Sequence, residues 1–298
     1  MEIGNNPVIQ HIVDRMPHLT PKGRLLGNYV VQYPQKVVFM TTKELAEACM
    51  VSEATVVRFV SQVGYETYSA FLQALRDMVN TGMTLQDRVD LPALKGAEGD
   101  RLGRVMSEEM ENMRQFYRTV DRETLDALVD LLEGAPAVYV AGSRLSYTFA
   151  YYFGWSLSKV RKGVNILKGS DSTAFDRLSN ANAEALVVIV ATSRYPNELI
   201  RLAKVTRRLG HTLFVIADSP LCPLFPFANR QLVVPAQSIP YIGYIAAMSS
   251  VISYLILELA ARQRQTVGFH QEKLEQVYLE NDILFNLPMT ATPKQFPD

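Results

Sequence analysis

After Pro136 the chain alternates between short β-branched segments and segments with helical periodicity. Short strands joined by helices pair in parallel, in a sheet that helices cover on both faces. This alternation predicts an α/β domain. The predicted strands are Ala137–Ala141, Val164–Leu167, Leu186–Val190, Leu213–Ile216 and Gln231–Val234, and the predicted helices between them are Ser146–Lys162, Asn197–Leu209 and Cys222–Ala228.

A second pattern lies upstream, where residues 41–66 have the spacing of two short helices joined by a tight turn. Thr41 and Glu44 form a capping box that begins the first helix near Thr42, and Ser52 is a good N-cap for the second. Each helix carries an apolar stripe at helical spacing. The inward positions are Leu45, Ala46 and Cys49 on the first helix and Val56, Phe59, Val60 and Val63 on the second. The spacing favours a helix-turn-helix over an ordinary helical hairpin.

The turn and the exposed face of this segment bear on DNA binding. Gly64 is suited to end the second helix, whereas the turn holds Met50 at a position where glycine is common. The exposed side chains of the second helix are short and polar and can contact base edges and phosphates; they are Ser52, Glu53, Thr55, Arg58 and Gln62. Because the net charge of the chain is zero, we expect DNA binding to depend on a local arrangement of charge and on a dimer that doubles it.

Two loops of the predicted sheet carry residues suited to a ligand. In parallel sheets, ligands bind beyond the carboxyl ends of the strands, at helix N-termini. Hydroxyl groups beside unpaired helix N–H groups form an anion site. The first loop contains Gly142, Ser143, Arg144 and Ser146, and the loop after the third strand contains Thr192, Ser193, Arg194, Asn197 and Glu198. The dinucleotide fingerprint is absent, because no G-x-G-x-x-G follows the first strand.

The charged residues of these loops leave two interpretations open. Arg144 and Arg194 can hold a phosphate or carboxylate through charge-assisted hydrogen bonds, or they are solvated or paired with acids such as Asp171, Asp218 or Glu198. Glu198 could act as a general base, but a carboxylate in the first turn of a helix is commonly stabilised by the helix dipole. No histidine has the spacing of a catalytic pair or a metal ligand. We therefore predict no catalytic residue, no metal site and no cofactor.

The order of a helical N-terminal domain, a linker and an α/β domain with hydroxyl-rich loops resembles the RpiR-type (MurR/RpiR family) bacterial transcription regulators. The most specific part of the resemblance is LAEACMVSEATVVRFVSQVGYETYSAF. It implies that the α/β half is a flavodoxin-like sugar isomerase (SIS) domain, with a five-stranded parallel sheet, that dimerises and binds a phosphosugar. It also implies DNA-binding positions, which together with the exposed Glu53 are Thr42, Lys43, Ser52, Ala54, Thr55 and Arg58.

Both ligand loops depart from the pattern that this family usually shows, G-x-G-x-S in the first and S-x-S-G-x-T-x-E in the second. Arg144 and Arg194 stand where the family has glycine, while Ala191 and Pro196 stand where it has serine and threonine. The positions that match are Gly142, Ser146, Ser193 and Glu198. We expect a reshaped pocket, in which the arginines clamp a phosphate or fill the phosphate space and accept a carboxylate metabolite.

These observations predict a DNA-binding transcription regulator, not an enzyme, whose operator affinity is controlled by a small anionic metabolite. The alternative is a sugar-phosphate isomerase-like enzyme with an accessory helical domain, and a third possibility is an interaction module with a vestigial effector site. Expected partners are double-stranded operator DNA, the metabolite and further copies of the chain in a homodimer or homotetramer. No membrane partner is expected, because the apolar segment Ile239–Ala261 contains serines, tyrosines and Glu258, which are costly in hydrocarbon.

The predicted organisation is a helix-turn-helix domain at 1–80, a linker at 81–103, a SIS-type effector-binding and dimerisation domain at 104–285 and a disordered tail at 286–298. The helices expected near Gly243–Ala261 and Arg264–Leu284 offer more apolar surface than one small sheet needs, which favours a dimer through the α/β domain. Cys49 and Cys222 are far apart in sequence and are expected to be buried apolar groups. Without a visible secretory signal, we expect a cytoplasmic protein.

Overall fold

The computed structural model describes residues 7–91, 100–169, 172–235, 239–240 and 242–285. The chain divides into two compact units. The first contains the described residues within Met1–Asn112, Ser219–Leu221 and Pro235–Tyr244, and the second contains those within Met113–Asp218, Cys222–Val234 and Ile245–Asp298. The predicted tail at 286–298 and the middle of the predicted linker lie outside the described residues.

The first unit is built from helices whose starts follow local capping chemistry. The Thr20 hydroxyl accepts a hydrogen bond from the Gly23 N–H, and the Thr67 hydroxyl accepts one from the Ala70 N–H, so each threonine serves as an N-cap. The helices are α1 (Pro7–Arg15), α2 (Pro21–Gln32), α3 (Pro34–Val37), α4 (Thr42–Ala48), α5 (Glu53–Gln62), α6 (Tyr68–Gly82) and the first part of α7 (Arg101–Thr119). Helix α1 was not predicted from the sequence.

The core of the first unit is aliphatic around an aromatic centre. Phe59 of α5 meets Phe71 of α6 edge-on, with ring centroids 6.0 Å apart. All seven predicted inward positions of α4 and α5 are buried, which confirms the apolar stripes. The predicted linker is partly packed against this core: Leu91 is buried, and Arg88 donates a hydrogen bond to the side-chain oxygen of Asn80.

The second unit contains a five-stranded parallel sheet, which confirms the predicted α/β fold. Its strand order, β2-β1-β3-β4-β5, is the flavodoxin-like order, in which the chain changes direction across the sheet between β1 and β3. The loops that follow β1 and β3 therefore lie side by side at the carboxyl edge. The strands are β1 (Val138–Gly142), β2 (Val164–Lys168), β3 (Leu186–Ala191), β4 (Thr212–Ala217) and β5 (Arg230–Val233).

Helices cover both faces of this sheet. The helices of the second unit, after the end of α7, are α8 (Arg122–Gly134), α9 (Leu145–Leu157), α10 (Thr173–Ser179), α11 (Asn197–Arg208), α12 (Ala246–Arg262) and α13 (Arg264–Glu280). Residues of α8, α9 and α12 form one apolar cluster with the sheet, and residues of α10 and α11 form the other. In β3, Val188 belongs to the first cluster and Ile189 to the second, so this central strand is buried on both sides.

Several predicted helices differ from the structure, and one of them does not form. The helix expected at Cys222–Ala228 is wrong, because only a 3-10 turn forms, at Phe225–Phe227. Pro223 and Pro226 lack the N–H groups that an α-helix needs in its interior. Helix α9 ends at Leu157 and not at the predicted Lys162.

Both cysteines are buried and form no disulfide, as predicted. Burial raises the pKa of the Cys222 thiol to about 12. Along the described ranges, no helix has both the length and the apolar character needed to cross a membrane.

Candidate functional site

The predicted caps fix the starts of α4 and α5. The Thr41 hydroxyl accepts a hydrogen bond from the Glu44 N–H at 3.2 Å, and the Glu44 carboxylate accepts one from the Thr41 N–H at 2.6 Å. This reciprocal pair confirms the capping box. At the start of α5, the Ser52 hydroxyl accepts from the Thr55 N–H at 3.3 Å, which confirms the second predicted cap.

The turn between these helices depends on a left-handed residue. Met50 has a φ of 51°, and the next N–H, from Val51, donates to the Ala46 carbonyl at 2.9 Å. Left-handed backbone disfavours residues other than glycine, yet Met50 adopts it and leaves its side chain 89% exposed. Gly64 ends α5 with a φ of 91°, as the sequence predicts. The segment thus has the helix, turn and helix that its spacing predicts.

The exposed side of α5 is the surface that the sequence predicts to contact DNA. It includes Glu53, Ala54, Val57, Arg58 and Ser61. The prediction that Thr55 is exposed is wrong, because this residue is 8% exposed and its hydroxyl is hydrogen-bonded to the Ser52 hydroxyl at 2.9 Å. Val57 was not singled out from the sequence although it is 57% exposed; its three-residue spacing from Ala54 was the available signal.

The two residues predicted near the DNA backbone lie at the start of α4. Lys43 is exposed and Thr42 is half-buried. The Lys43 ammonium lies 4.0 Å from the Glu47 carboxylate, and such an exposed pair contributes little free energy. The Lys43 ammonium therefore remains able to bind a phosphate.

At the carboxyl edge of the sheet, the first loop is tightly packed. A Cβ on Gly142 would lie 2.4 Å from the Ser146 carbonyl oxygen, so only glycine fits. The Ser146 hydroxyl donates to the Ser143 carbonyl at 3.0 Å, and the Ser143 hydroxyl donates to the Glu198 carboxylate at 2.6 Å. Both serines are buried. Their hydroxyl protons hold the protein's own loops together in this structure.

Glu198 lies in the first turn of α11 and links the two loops through Ser143. The Ser143 hydrogen bond, the backbone N–H of Glu198 itself and the positive charges of Arg201 and Arg144 hold the pKa of this carboxyl below its ordinary value. A carboxylate with a lowered pKa is a weak base. This environment argues against Glu198 as a general base.

The second loop is held by a carboxylate from the end of β4. Asp218 accepts a hydrogen bond from the Ser193 N–H at 2.7 Å and another from the Tyr195 hydroxyl at 2.9 Å. Burial raises the pKa of Asp218, against the lowering effect of these hydrogen bonds. Beyond this contact, Thr192 is half-buried and Asn197 is exposed, so both offer polar groups at the edge.

Both arginines of the loops have glycine-like backbone conformations. Arg144 has φ 54° and ψ −128°, and Arg194 has φ 67°. Such conformations cost a residue with a side chain about 1–3 kcal/mol each. Both arginines are exposed. Their glycine-like geometry matches the glycines that the family resemblance implies at these positions.

The structure excludes two of the three acids that were considered as partners of these arginines, Asp218 and Glu198. Within the described ranges, the guanidinium groups of Arg144 and Arg194 form no ion pair and no hydrogen bond. Asp218 is bound to Ser193 and Tyr195 instead. Glu198 is affected by the charge of Arg144 without an ion pair, and Asp171 lies outside the described residues.

Sequence reasoning missed two cations at the same edge. Lys168 ends β2 and lies in register with Gly142 of β1, and its ammonium is 5.9 Å from the centre of the Tyr147 ring. Arg201 lies on α11, where its charge acts on Glu198. The rule that ligands bind beyond strand ends pointed equally to the end of β2, and Lys168 is the last residue of that strand. Together with the loop arginines, these residues make four described cations at the edge, against the two described carboxylates Glu198 and Asp218.

Two protein families match this chain. The SIS domain family matches residues 131–286, and the rpiR-family helix-turn-helix domain matches residues 7–82. Two curated relatives are regulators. The uncharacterized HTH-type transcriptional regulator YfhH of Escherichia coli K12 is 24% identical over 211 residues, which cover 69% of this chain and 73% of YfhH. The HTH-type transcriptional regulator HexR of Pseudomonas aeruginosa is 22% identical over 223 residues, which cover 72% of this chain and 75% of HexR.

A solved structure agrees with the fold over nearly the whole chain. The NanR protein of Vibrio vulnificus, complexed with ManNAc-6P, superposes with a TM-score of 0.55 at 19% identity, and the match covers 92% of this chain and 98% of NanR. At this identity the similarity establishes the fold.

Proposed function

The chain belongs to the SIS domain family and joins that domain to an rpiR-family helix-turn-helix domain, and we infer that it is a DNA-binding transcription regulator controlled by a small anionic metabolite. The observation that carries the effector half of this proposal is a pair of arginines on neighbouring loops of the sheet edge, Arg144 and Arg194, whose guanidinium groups pair with none of the described residues. The DNA half rests on the helix-turn-helix geometry of α4 and α5.

For DNA binding, we propose that α5 enters the major groove with its exposed face toward the bases. In this arrangement Arg58 reaches a base edge or phosphate, and Lys43 of α4 contacts the backbone. Residues 1–80 carry seven lysines and arginines against seven aspartates and glutamates and supply little long-range attraction, so two copies of the chain are needed for tight binding. Two recognition helices on one face of DNA would read half-sites about 34 Å apart, or a multiple of that distance.

Arg58 provides the direct test of this assignment. Duplexes selected from a random-sequence pool by the wild-type chain serve as probes in a mobility-shift assay at fixed salt. Arg58→Ala should weaken binding on the order of 10-fold or more, because loss of a good base contact costs about 1–3 kcal/mol. The matched control is Arg24→Ala, an exposed arginine on α2, which should bind within about twofold of wild type. If Arg58→Ala shifts the duplex as wild type does, the recognition-helix assignment is wrong.

For the effector, we propose a phosphosugar or related carboxylate metabolite at the edge formed by the loops after β1 and β3. The structure of NanR contains ManNAc-6P, which makes a phosphorylated sugar the first class to test. Thr192, Ser193 and Asn197 offer polar groups beside the arginines, while Gly142, Ser143 and Ser146 shape the adjoining wall. Ligand binding should raise the melting temperature in proportion to the logarithm of ligand concentration.

We further propose that the chain has no isomerase activity. Aldose–ketose isomerisation needs a positioned base near the substrate carbon. The Glu198 carboxylate already accepts the Ser143 hydroxyl at 2.6 Å, and this hydrogen bond lowers its pKa. Proton NMR of sugar phosphates mixed with the purified chain should show no interconversion. Turnover that disappears in the Glu198→Gln variant would establish the enzyme instead.

Self-association through the second unit completes the proposal. Large apolar side chains are exposed on several helices there, among them Trp155 of α9, Leu257 of α12 and Phe269 of α13. Exposed apolar surface of this kind commonly marks an interface, and a second copy of the chain is the partner that a two-fold operator requires. Analytical ultracentrifugation should show a dimer or tetramer that Leu257→Lys weakens; a wild-type monomer at micromolar concentration contradicts this arrangement.

A further inference from the structure

The backbone at Arg144 and Arg194 is informative because arginine is a poor choice for it. Both residues have positive φ, and glycine adopts such conformations without the steric conflict that a Cβ brings. The chain therefore keeps two long cationic side chains at positions where glycine would relieve strain. Because the conformations persist at two points of the same sheet edge, a role for the guanidinium groups is the simplest physical reason for both.

The acidic groups near these two arginines differ in what they contact. Glu198 is influenced by Arg144 and by Arg201, and its carboxylate already accepts the Ser143 hydroxyl. Asp218 is occupied by Ser193 and Tyr195. Of the described acids at this edge, neither forms an ion pair with Arg194. Among the described residues, the guanidinium of Arg194 thus has no ion-pair partner.

The two arginines also belong to different strands. Arg144 follows β1, whose other neighbour β2 ends in Lys168, so two cations stand at that end of the site. Arg194 follows β3, on the opposite side of β1. Adjacent parallel strands are about 4.8 Å apart, and two arginines that start from adjacent strands can diverge to groups at opposite ends of a sugar-sized molecule. A single phosphate needs only one such bidentate partner.

We propose that the effector carries two anionic groups and is a phosphorylated sugar acid. One group, the phosphoryl group, binds at Arg194, next to the start of α11, whose N-terminal N–H groups favour an anion. The carboxylate binds at Arg144 beside Lys168. This inference rests on the proposed function and narrows its ligand to one class. Each guanidinium offers a planar set of donors that matches a carboxylate or a phosphate. One anionic group for each guanidinium explains why arginine replaces the family's glycine at both positions.

The test uses matched pairs of ligands that differ only at one carbon. Each aldose 6-phosphate, with glucose, mannose and galactose as the parent sugars, is compared with the corresponding 6-phosphoaldonic acid, in which the aldehyde carbon has become a carboxylate. Dissociation constants are measured by isothermal titration calorimetry on the full-length chain. We expect at least one acid to bind on the order of 10-fold or more tightly than its aldose partner, the gain expected from one charge-assisted contact.

Variants separate the roles of the two arginines. Arg144→Gly should remove the preference for the acid and leave aldose phosphate affinity within about twofold, whereas Arg194→Gly should weaken both members of a pair by a similar factor. Both variants should also melt at a higher temperature than wild type without ligand, because glycine relieves the backbone. The matched control is Asp282→Gly, another positive-φ residue of the second unit outside the edge, which should leave ligand affinities unchanged.

The outcomes are distinguishable. Aldose phosphates that bind as tightly as their acids in every pair would overturn the two-anion assignment while leaving a phosphosugar effector in place. An acid preference that survives Arg144→Gly would overturn the role of that residue. The proposed effector function fails together with this inference if no member of any pair binds at a concentration of about 10 mM, which corresponds to a binding free energy weaker than about 3 kcal/mol.

Discussion

Replacing Gly142 with alanine tests how tightly the sheet edge is built. A Cβ at this position would lie 2.4 Å from the Ser146 carbonyl oxygen and 2.8 Å from the Ala150 Cβ, whereas ordinary contacts begin at 3.4 Å. The carbonyl must therefore move away by about 1 Å to reach an ordinary contact distance. Because this carbonyl belongs to the backbone of α9, the movement has to displace the start of the helix together with the first loop.

The expected cost follows from that displacement. Overpacking a well-packed site costs about 1–3 kcal/mol, and a clash with helix backbone belongs at the upper end, so we expect Gly142→Ala to lower the free energy of unfolding by about 3 kcal/mol. For domains of 150–250 residues this corresponds to a fall in melting temperature of about 6–12 °C. Ligand affinity should also fall, since Ser143 and Arg144 follow directly in the displaced loop.

Thermal unfolding followed by circular dichroism, with calorimetric ligand titration, measures both effects. The matched control is Gly134→Ala at the end of α8, where an added Cβ meets nothing within 4 Å. Alanine there should be neutral or slightly stabilising, because alanine has the higher helix propensity. A Gly142→Ala variant that melts within about 1 °C of wild type would refute the close packing from which the cost was worked out.

Three further variants probe the site and the DNA-binding core. Glu198→Gln removes a carboxylate whose pKa in the folded chain is lowered, mainly by the Ser143 hydroxyl. This carboxylate makes wild type more stable than the variant above the ordinary pKa of about 4.3. The advantage is lost as the pH falls through the lowered pKa. Urea unfolding should show this advantage shrinking between about pH 5 and pH 3, and a constant difference contradicts it. Asp218→Ala leaves two donors, the Ser193 N–H and the Tyr195 hydroxyl, without their acceptor, and should lower the free energy of unfolding by about 2 kcal/mol or more in the same assay; no loss would mean that the second loop is held by other contacts. Phe59→Ala empties the aromatic centre of the first unit and should cost about 3–5 kcal/mol, abolishing the mobility shift while calorimetric ligand binding persists; unchanged DNA binding would contradict the importance of that core.

Local sequence rules predicted the elements of this fold well where one residue or one period decides the outcome. The Thr41–Glu44 capping box, the Ser52 cap and the Gly64 stop depend on short-range hydrogen bonds and backbone preferences. The buried strands are recognisable in the sequence as β-branched runs, because both faces of the sheet are covered. By contrast, the helix expected at Cys222–Ala228 is wrong, because Pro223 and Pro226 lack the N–H groups that a helix interior needs.

The candidate site was only partly predictable, because its decisive contacts join distant residues. Strand ends and hydroxyl-rich loops predicted a site at one edge of the sheet, and the structure brings the two loops together there. The pairing of Ser143 with Glu198 joins residues 55 positions apart, and Asp218 reaches the second loop from another strand, so neither contact follows from local spacing. Thr55 was misplaced because a threonine near a helix start can face solvent or return its hydroxyl to the cap, and the sequence pattern does not distinguish the two.

The most direct test is whether a ligand at the sheet edge changes the affinity of the chain for DNA. Fluorescence anisotropy of a labelled, selected duplex gives the DNA dissociation constant without ligand and with the best-binding sugar phosphate at saturation. We predict a change of about fivefold or more, which corresponds to a coupling free energy of about 1 kcal/mol, and an equal change in ligand affinity when DNA is saturating. Equal DNA dissociation constants in the two conditions, with ligand binding verified in the same sample, would contradict control of the regulator by this site.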